Sequence, residues 1–152
     1  MAGVMTKSGG GIVVRRVRPS DEPALCGVDV VADGGDAERR ASIRRWCEGG
    51  AAAVAEGESG LLGYCVVECT FFGQGFVTML MVAPTARRSG VGRRLLDEAA
   101  ASCTTEKLFT STNVSNRPMQ GLLEGAGWLP VGLLHGLDPG DPELFYLCPR
   151  RG

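Results

Sequence analysis

The stretch MLMVAPTARRSGVGRRLLDEAA, Met79 to Ala100, decides how this chain is read: an apolar strand passes through a Pro turn and an Arg/Gly loop into an amphipathic helix. Val91, Leu95, Leu96, Ala99 and Cys103 recur on one helical face, while Arg93 with Asp97 and Arg94 with Glu98 stand at i, i+4 on the other. A helix opens with unpaired N–H groups and the positive end of its dipole, so the backbone from Arg88 through Ser89, Gly90 and Val91 to Gly92 is expected to cradle a phosphate. Gly90 and Gly92 let that backbone approach a bulky diphosphate, and Arg87, Arg88, Arg93 and Arg94 add charge. The expected ligand is a nucleotide diphosphate.

Two other phosphate loops fail on their spacing. A P-loop needs Lys and then Ser or Thr after its last Gly, whereas Arg93 and Arg94 follow Gly92. A dinucleotide fingerprint needs a third Gly where Leu95 stands. What remains is R-x-x-G-x-G at Arg87 to Gly92 behind an L-x-V-x-P strand end at Leu80 to Pro84, followed downstream by NRPMQGLLEGAGW at Asn116 to Trp128. This ordered pair resembles the two cofactor segments of the GNAT superfamily of N-acetyltransferases, with the strand-like KLFTSTN, Lys107 to Asn113, between them. The resemblance implies acetyl-CoA as cofactor. It also implies an α+β (mixed α/β) fold, a mostly antiparallel central sheet of six to seven strands flanked by about four helices.

The rest of the chain reads in the same order. Residues 1–11, rich in Gly and small polar groups, read as a flexible leader, and residues 12–152 as a single domain. Strands are expected at Ile12 to Val17, Ala51 to Glu56, Leu61 to Thr70, Gly75 to Val82, Lys107 to Thr112, Pro130 to Leu134 and Leu144 to Cys148. Helices are expected at Glu22 to Val30, Ala37 to Glu48, after the Gly loop, and at Met119 to Glu124. The strand FVTMLMV, apolar at nearly every position, should lie mid-sheet and be covered on both sides.

Composition narrows the function. With 16 basic and 17 acidic residues the net charge is −1, which offers no field for nucleic acid. There is no apolar leader and no run of about 18 apolar residues, which points away from membranes and toward a cytoplasmic protein. Six cysteines without a C-x-x-C pair and the lone His135 predict no metal site; the thiols read as buried and reduced. A homodimer is a possible assembly.

Acetyl transfer to an amine needs a neutral amine near the carbonyl, a group that polarises the carbonyl, and a proton for the departing sulfur. By resemblance, the main chain of Leu80, Met81 and Val82 holds the pantetheine arm, and Asn116, with Asn113 as a second candidate, lies beside it. The family's Tyr proton donor matches Leu123 here, so either Tyr64, Tyr146 or a water protonates the leaving sulfur, with Tyr146 as the candidate, or the thiolate departs unaided, or this member does not acetylate at all. Glu68 is the candidate general base, because the central strand carries Thr78 where several relatives place Glu. His135, Asp138, Asp141 and Glu143 form a polar cluster near the last strand that could draw in a cationic amine; ordinary turn chemistry explains them equally. The expected acceptor is an amine on a small molecule or on a protein surface. The alternatives are a fold that holds CoA without transfer, and a different acyl-CoA, for which Met79, Met81 and Met119 could line a roomier channel.

Overall fold

Alternating and 3.6-residue periodicities become strands and helices largely where they were expected, in a computed structural model that describes residues 11–149. The expected leader lies outside the described residues apart from Gly11. Among these residues the strands are β1 (Val13–Arg16), β2 (Ala52–Gly57), β3 (Gly60–Phe71), β4 (Gln74–Val82), β5 (Leu108–Asn113), β6 (Leu129–Leu134) and β7 (Glu143–Leu147). The helices are α1 (Glu22–Val28), α2 (Val30–Asp33), α3 (Ala37–Gly49), α4 (Val91–Ser102) and α5 (Arg117–Gly125). The strands form one sheet in the order β1-β2-β3-β4-β5-β7-β6, with β4 in the middle as expected. β4 and β5 run parallel through registers Gly75/Leu108 to Val77/Thr110, while β1–β2, β2–β3, β5–β7 and β6–β7 are antiparallel.

A fifth helix replaces the expected four because Glu22 to Val30 does not form one piece. Asp29 takes extended angles (φ −84°, ψ 111°), and its carboxylate accepts from the N–H groups of Val31 (2.9 Å) and Ala32 (3.2 Å). One helix therefore stops and a new turn starts at a capping Asp.

β4 also departs from its expected cover. Gly75 and Val77 are buried, Thr78 is exposed, and Met79 to Val82 remain only half-buried. Four consecutive large apolar residues at a strand end thus stay partly open.

Contacts separate the chain into two compact units, whose described parts run over 11–66 with 79–99 and over 67–78 with 100–149. In the first, Val17, Leu25, Ile43, Trp46, Val54, Tyr64 and Val66 form a buried cluster against which Met79 and Met81 pack. In the second, β5 alternates buried and half-buried along its length, burying Leu108, Thr110 and Thr112. The buried Thr110 hydroxyl donates to the Val77 carbonyl at 3.0 Å, satisfying a polar group inside the sheet.

Candidate active site

In the first unit β4 leads through a 3-10 turn at Pro84–Ala86 and a tight turn at 87–90 into α4. Arg88 (φ +62°) and Gly90 (φ +84°) both adopt left-handed backbone. For Arg88 this is an uncommon conformation, of the kind that concentrates at binding loops. The Ser89 hydroxyl donates to the Ala86 carbonyl and ties the turn together. The helical bond from Arg94 N–H to Gly90 C=O (3.1 Å) leaves the N–H groups of Val91 and Gly92 ahead of the regular ladder. A Cβ placed at Gly90 would meet no heavy atom within 4 Å, so the space before the turn is open. Arg87, Arg88, Ser89 and Gly90 are exposed, and Arg93 is engaged with Asp97 at 3.1 Å, the i, i+4 pair expected from the sequence. A left-handed turn feeding a helix N-terminus, with a Cβ-free residue facing open space, fits a diphosphate.

The end of β4 is positioned by a residue that sequence reasoning missed. A Cβ on Gly63 of β3 would lie 2.7 Å from the Met81 carbonyl oxygen, 3.2 Å from Leu95 Cδ1 and 3.3 Å from Val82 Cα. Only glycine allows β3, the β4 main chain and α4 to approach this closely. Gly63→Ala should therefore destabilise the protein by about 1–3 kcal/mol in urea unfolding, because backbone atoms rather than a flexible side chain must give way; unchanged stability would show that the strand end has slack.

The remaining candidates lie in the second unit. Asn113 ends β5 and donates through Nδ2 to Asp138 Oδ2 (2.9 Å) and to the Asp141 carbonyl (3.3 Å). Asn116 caps α5, its Oδ1 accepting from Met119 N–H at 3.2 Å, which begins that helix two residues before the expected Met119. Asp141 accepts from Ser115 N–H (3.0 Å) and Oγ (2.5 Å), and Glu143 from Ser111 Oγ (2.7 Å). Asp138, Asp141 and Glu143 thus staple the chain around them, the turn chemistry that was one of their two readings. Glu68 is half-buried on β3.

Leu123, the match to the family Tyr, is fully buried. Tyr146 on β7 is registered against Thr110 and Pro130 and is likewise fully buried. Among the described residues its hydroxyl faces the Glu124 carboxylate, at a geometry short of an ordinary hydrogen bond. Burial first, then the charge of Glu124, pushes this phenol above its usual pKa.

Tyr64, the other phenol considered as an acid, is committed elsewhere. Its hydroxyl donates to Asp29 Oδ2 at 2.5 Å, and Arg39 Nη1 donates to both oxygens of the same carboxylate at 2.8 and 3.0 Å. Burial and the Asp29 carboxylate raise the Tyr64 pKa well above that of a free phenol. Burial pushes the Asp29 pKa up as well, but the hydrogen bonds from Tyr64, Arg39 and Ala32 outweigh it and hold the carboxyl below the usual carboxylate range. Of the thiols expected to be buried only Cys47 and Cys65 are, and burial pushes Cys65 up to about 12, far from a reactive thiolate; Cys69 is exposed and Cys26, Cys103 and Cys148 are half-buried, because their strand and helix ends lack cover. No group of three His, Cys, Asp or Glu able to hold a metal occurs among the described residues. A cavity of about 570 Å³, lined in part by Lys107, Leu129, Leu147 and Cys148, contains none of the candidate site residues.

An acetyltransferase (GNAT) domain family matches residues 48–127, more than half of the chain, and spans both the Gly loop and α5. The chain belongs to the GNAT acetyltransferase family. Among solved structures, this GNAT chain is similar to a GNAT-family acetyltransferase of Bacillus cereus, with 27% identity, a TM-score of 0.86, and 93% of this chain and 99% of that one covered. It has the fold of a GNAT-family protein of Desulfovibrio desulfuricans (23% identity, TM-score 0.72, 90% and 97% covered). It also shares the fold of yncA of Salmonella typhimurium, solved with its cofactor acetyl-CoA (18% identity, TM-score 0.71, 90% and 92% covered). No curated protein matches the chain. No helix among the described residues is long and apolar enough to cross a membrane.

Proposed function

We propose that this GNAT protein transfers an acetyl group from acetyl-CoA to a primary amine, on a small molecule or an exposed protein amine, with residues 12–152 acting as one catalytic domain. The observation that carries the reading is the left-handed turn at Arg88 and Gly90 opening α4, with free space where a side chain would stand. Backbone N–H groups of Ser89, Gly90, Val91 and Gly92 hold the diphosphate, and Arg87, Arg88 and Arg93 supply positive charge. The half-open main chain of Leu80, Met81 and Val82 orients the pantetheine, and a backbone N–H there polarises the carbonyl. Asn116, whose Oδ1 is used as a cap, offers its amide N–H₂ group; Asn113, whose Nδ2 is engaged, offers its carbonyl oxygen. When bound, acetyl-CoA supplies the acetyl group as a thioester. Glu68 accepts the proton of the attacking amine, and Tyr146 Oη donates one to the departing sulfur. The cytoplasm is the proposed location; the buried, unreactive thiol of Cys65 suits a reducing compartment.

The decisive assay measures CoA-SH release from acetyl-CoA over a panel of amines; no release with any acceptor overturns transfer. Arg87→Ala combined with Gly90→Val should weaken acetyl-CoA binding at least about 50-fold by calorimetry with the far-UV CD spectrum unchanged. Valine cannot adopt φ +84° without strain, and a diphosphate contact is lost with the Arg. Equal affinity would remove the loop from the site. A second reading, cofactor binding without transfer, is favoured by the buried Leu123 at the position where relatives carry a proton donor. It predicts unchanged affinity in the wild type and no CoA-SH release.

A further inference from the structure

Within the first unit the end of β4 has a closed side and a half-open one. Gly63, Leu95 and the Val82 main chain meet on the α4 side with no room for a methyl group, and Gly63 and Leu95 are buried there. Successive strand residues point to opposite sides, so Met79 and Met81 lie on the other one. They pack, with Leu61 of β3 and Cys26 of α1, against the first unit's buried cluster, and all four stay half-buried. The cluster they cover holds the rings of Trp46 and Tyr64, with centroids 6.2 Å apart. Two thioethers, a leucine and a thiol over aromatic rings thus form an apolar strip beside the main chain of Leu80 to Val82.

The charges around this strip are already engaged. Those that act on the Cys26 thiol come from Arg40, Glu22, Asp29 and Arg44. Arg40 Nε donates to the Ala32 carbonyl at 2.8 Å, Arg44 Nε lies 3.3 Å from Glu22, and Asp29 holds Arg39 and the Tyr64 hydroxyl. Three guanidinium groups therefore stand with two carboxylates, and neither carboxylate is left over for an incoming cation. Burial pushes the Cys26 thiol above its usual pKa, so it brings no charge either. Glu38 and Glu48 are exposed, on the side of α3 turned away from Ile43, Trp46 and Cys47.

We propose that this strip selects the acceptor, a primary amine on an uncharged aromatic or straight-chain aliphatic body, in preference to a polyamine, an amino acid or a lysine on a protein. The inference rests on the proposed transfer at the end of β4. With the α4 side closed, the acceptor approaches the carbonyl from the side of Met79 and Met81. Unbranched thioethers adapt to a flat or extended apolar body and make favourable contacts with aromatic rings. A second ammonium or a carboxylate on that body would be stripped of water there without gaining a partner. Ligand sites are commonly built this way, with an apolar lining fixing the body and a few polar groups the reacting end.

Three amines of one chain length test the selection. Hexylamine, hexamethylenediamine and aminocaproate differ in ending on a methyl, an ammonium or a carboxylate. The expected result is a kcat/KM for CoA-SH release at least about 30-fold higher with hexylamine than with either charged homologue, the difference residing mainly in KM. Met79→Glu should narrow the gap between hexylamine and the diamine at least about tenfold, with acetyl-CoA affinity unchanged. Either charged amine matching hexylamine in the wild type would overturn the proposal, whatever the variant does. A Met79→Glu protein of unchanged CD spectrum that keeps the wild-type ratio would overturn it too. Should no amine release CoA-SH, transfer itself fails, and calorimetric titration of the three amines into the acetyl-CoA-bound protein reads the selection alone. Hexylamine bound at least about tenfold more tightly than the other two supports it; equal affinities, or no binding by any of the three, overturn it.

Discussion

Replacing Tyr146 with Phe should lower kcat about 100-fold while the melting temperature stays level or rises slightly. Its hydroxyl is buried without a partner of ordinary geometry, so the folded state bears a desolvation cost that Phe would not. The ring itself fills the same volume between Thr110 and Pro130. Burial and the nearby Glu124 charge keep the phenol protonated through neutral pH, as a proton donor requires. Steady-state kinetics beside a thermal melt separates the two roles. An unchanged kcat would strike Tyr146 from the mechanism, and a lowered melting temperature would show that the hydroxyl has a structural partner.

The largest expected loss of stability follows Asp29→Ala, about 3–5 kcal/mol in urea unfolding. The carboxylate is fully buried and receives Tyr64, Arg39 and two backbone N–H groups at once. Alanine would leave the phenol and the start of α2 unpaired in the first unit's core, against a total stability of about 5–15 kcal/mol for an ordinary domain. Asp29 also sets a pH dependence. Its folded pKa lies below the unfolded value, so its contribution is complete above the usual Asp pKa near 4 and is lost as pH falls through the folded value. Asp21 acts in the same direction through its Arg15 pair, so the variant should show a shallower acid limb rather than none. An acid profile identical to the wild type would remove Asp29 from this account.

Local pattern was enough for what is local. The Gly loop, the strands and the amphipathic helices announce themselves through short-range periodicity and through Gly and Pro, whose backbone limits act on immediate neighbours. The signals that failed depend on distant partners. Asp29 looks like a polar residue in the last turn of the expected helix until Tyr64, 35 residues later, is placed against it. Gly63 reads as an ordinary strand glycine; its reason is the Met81 carbonyl. Leu123 aligns with a family proton donor, yet packing makes it core. The charged run from Asp138 to Glu143 left an acceptor site and ordinary turn chemistry both open, because sequence shows charge and not the side-chain amide and hydroxyls of Asn113, Ser115 and Ser111 that contact it.

The break at Asp29 carries a kinetic consequence. A helix of four residues has one turn and no cooperative reserve, so α2 persists through its Asp29 cap, the buried Ala32 and the bond from Arg40 Nε to the Ala32 carbonyl. Its amides should exchange with deuterated solvent far sooner than those of α3, by local breathing that leaves the fold intact. The exposed Val30 and Val31 would travel with that turn, uncovering and re-covering the buried Ala32 between them and α3 as it breathes.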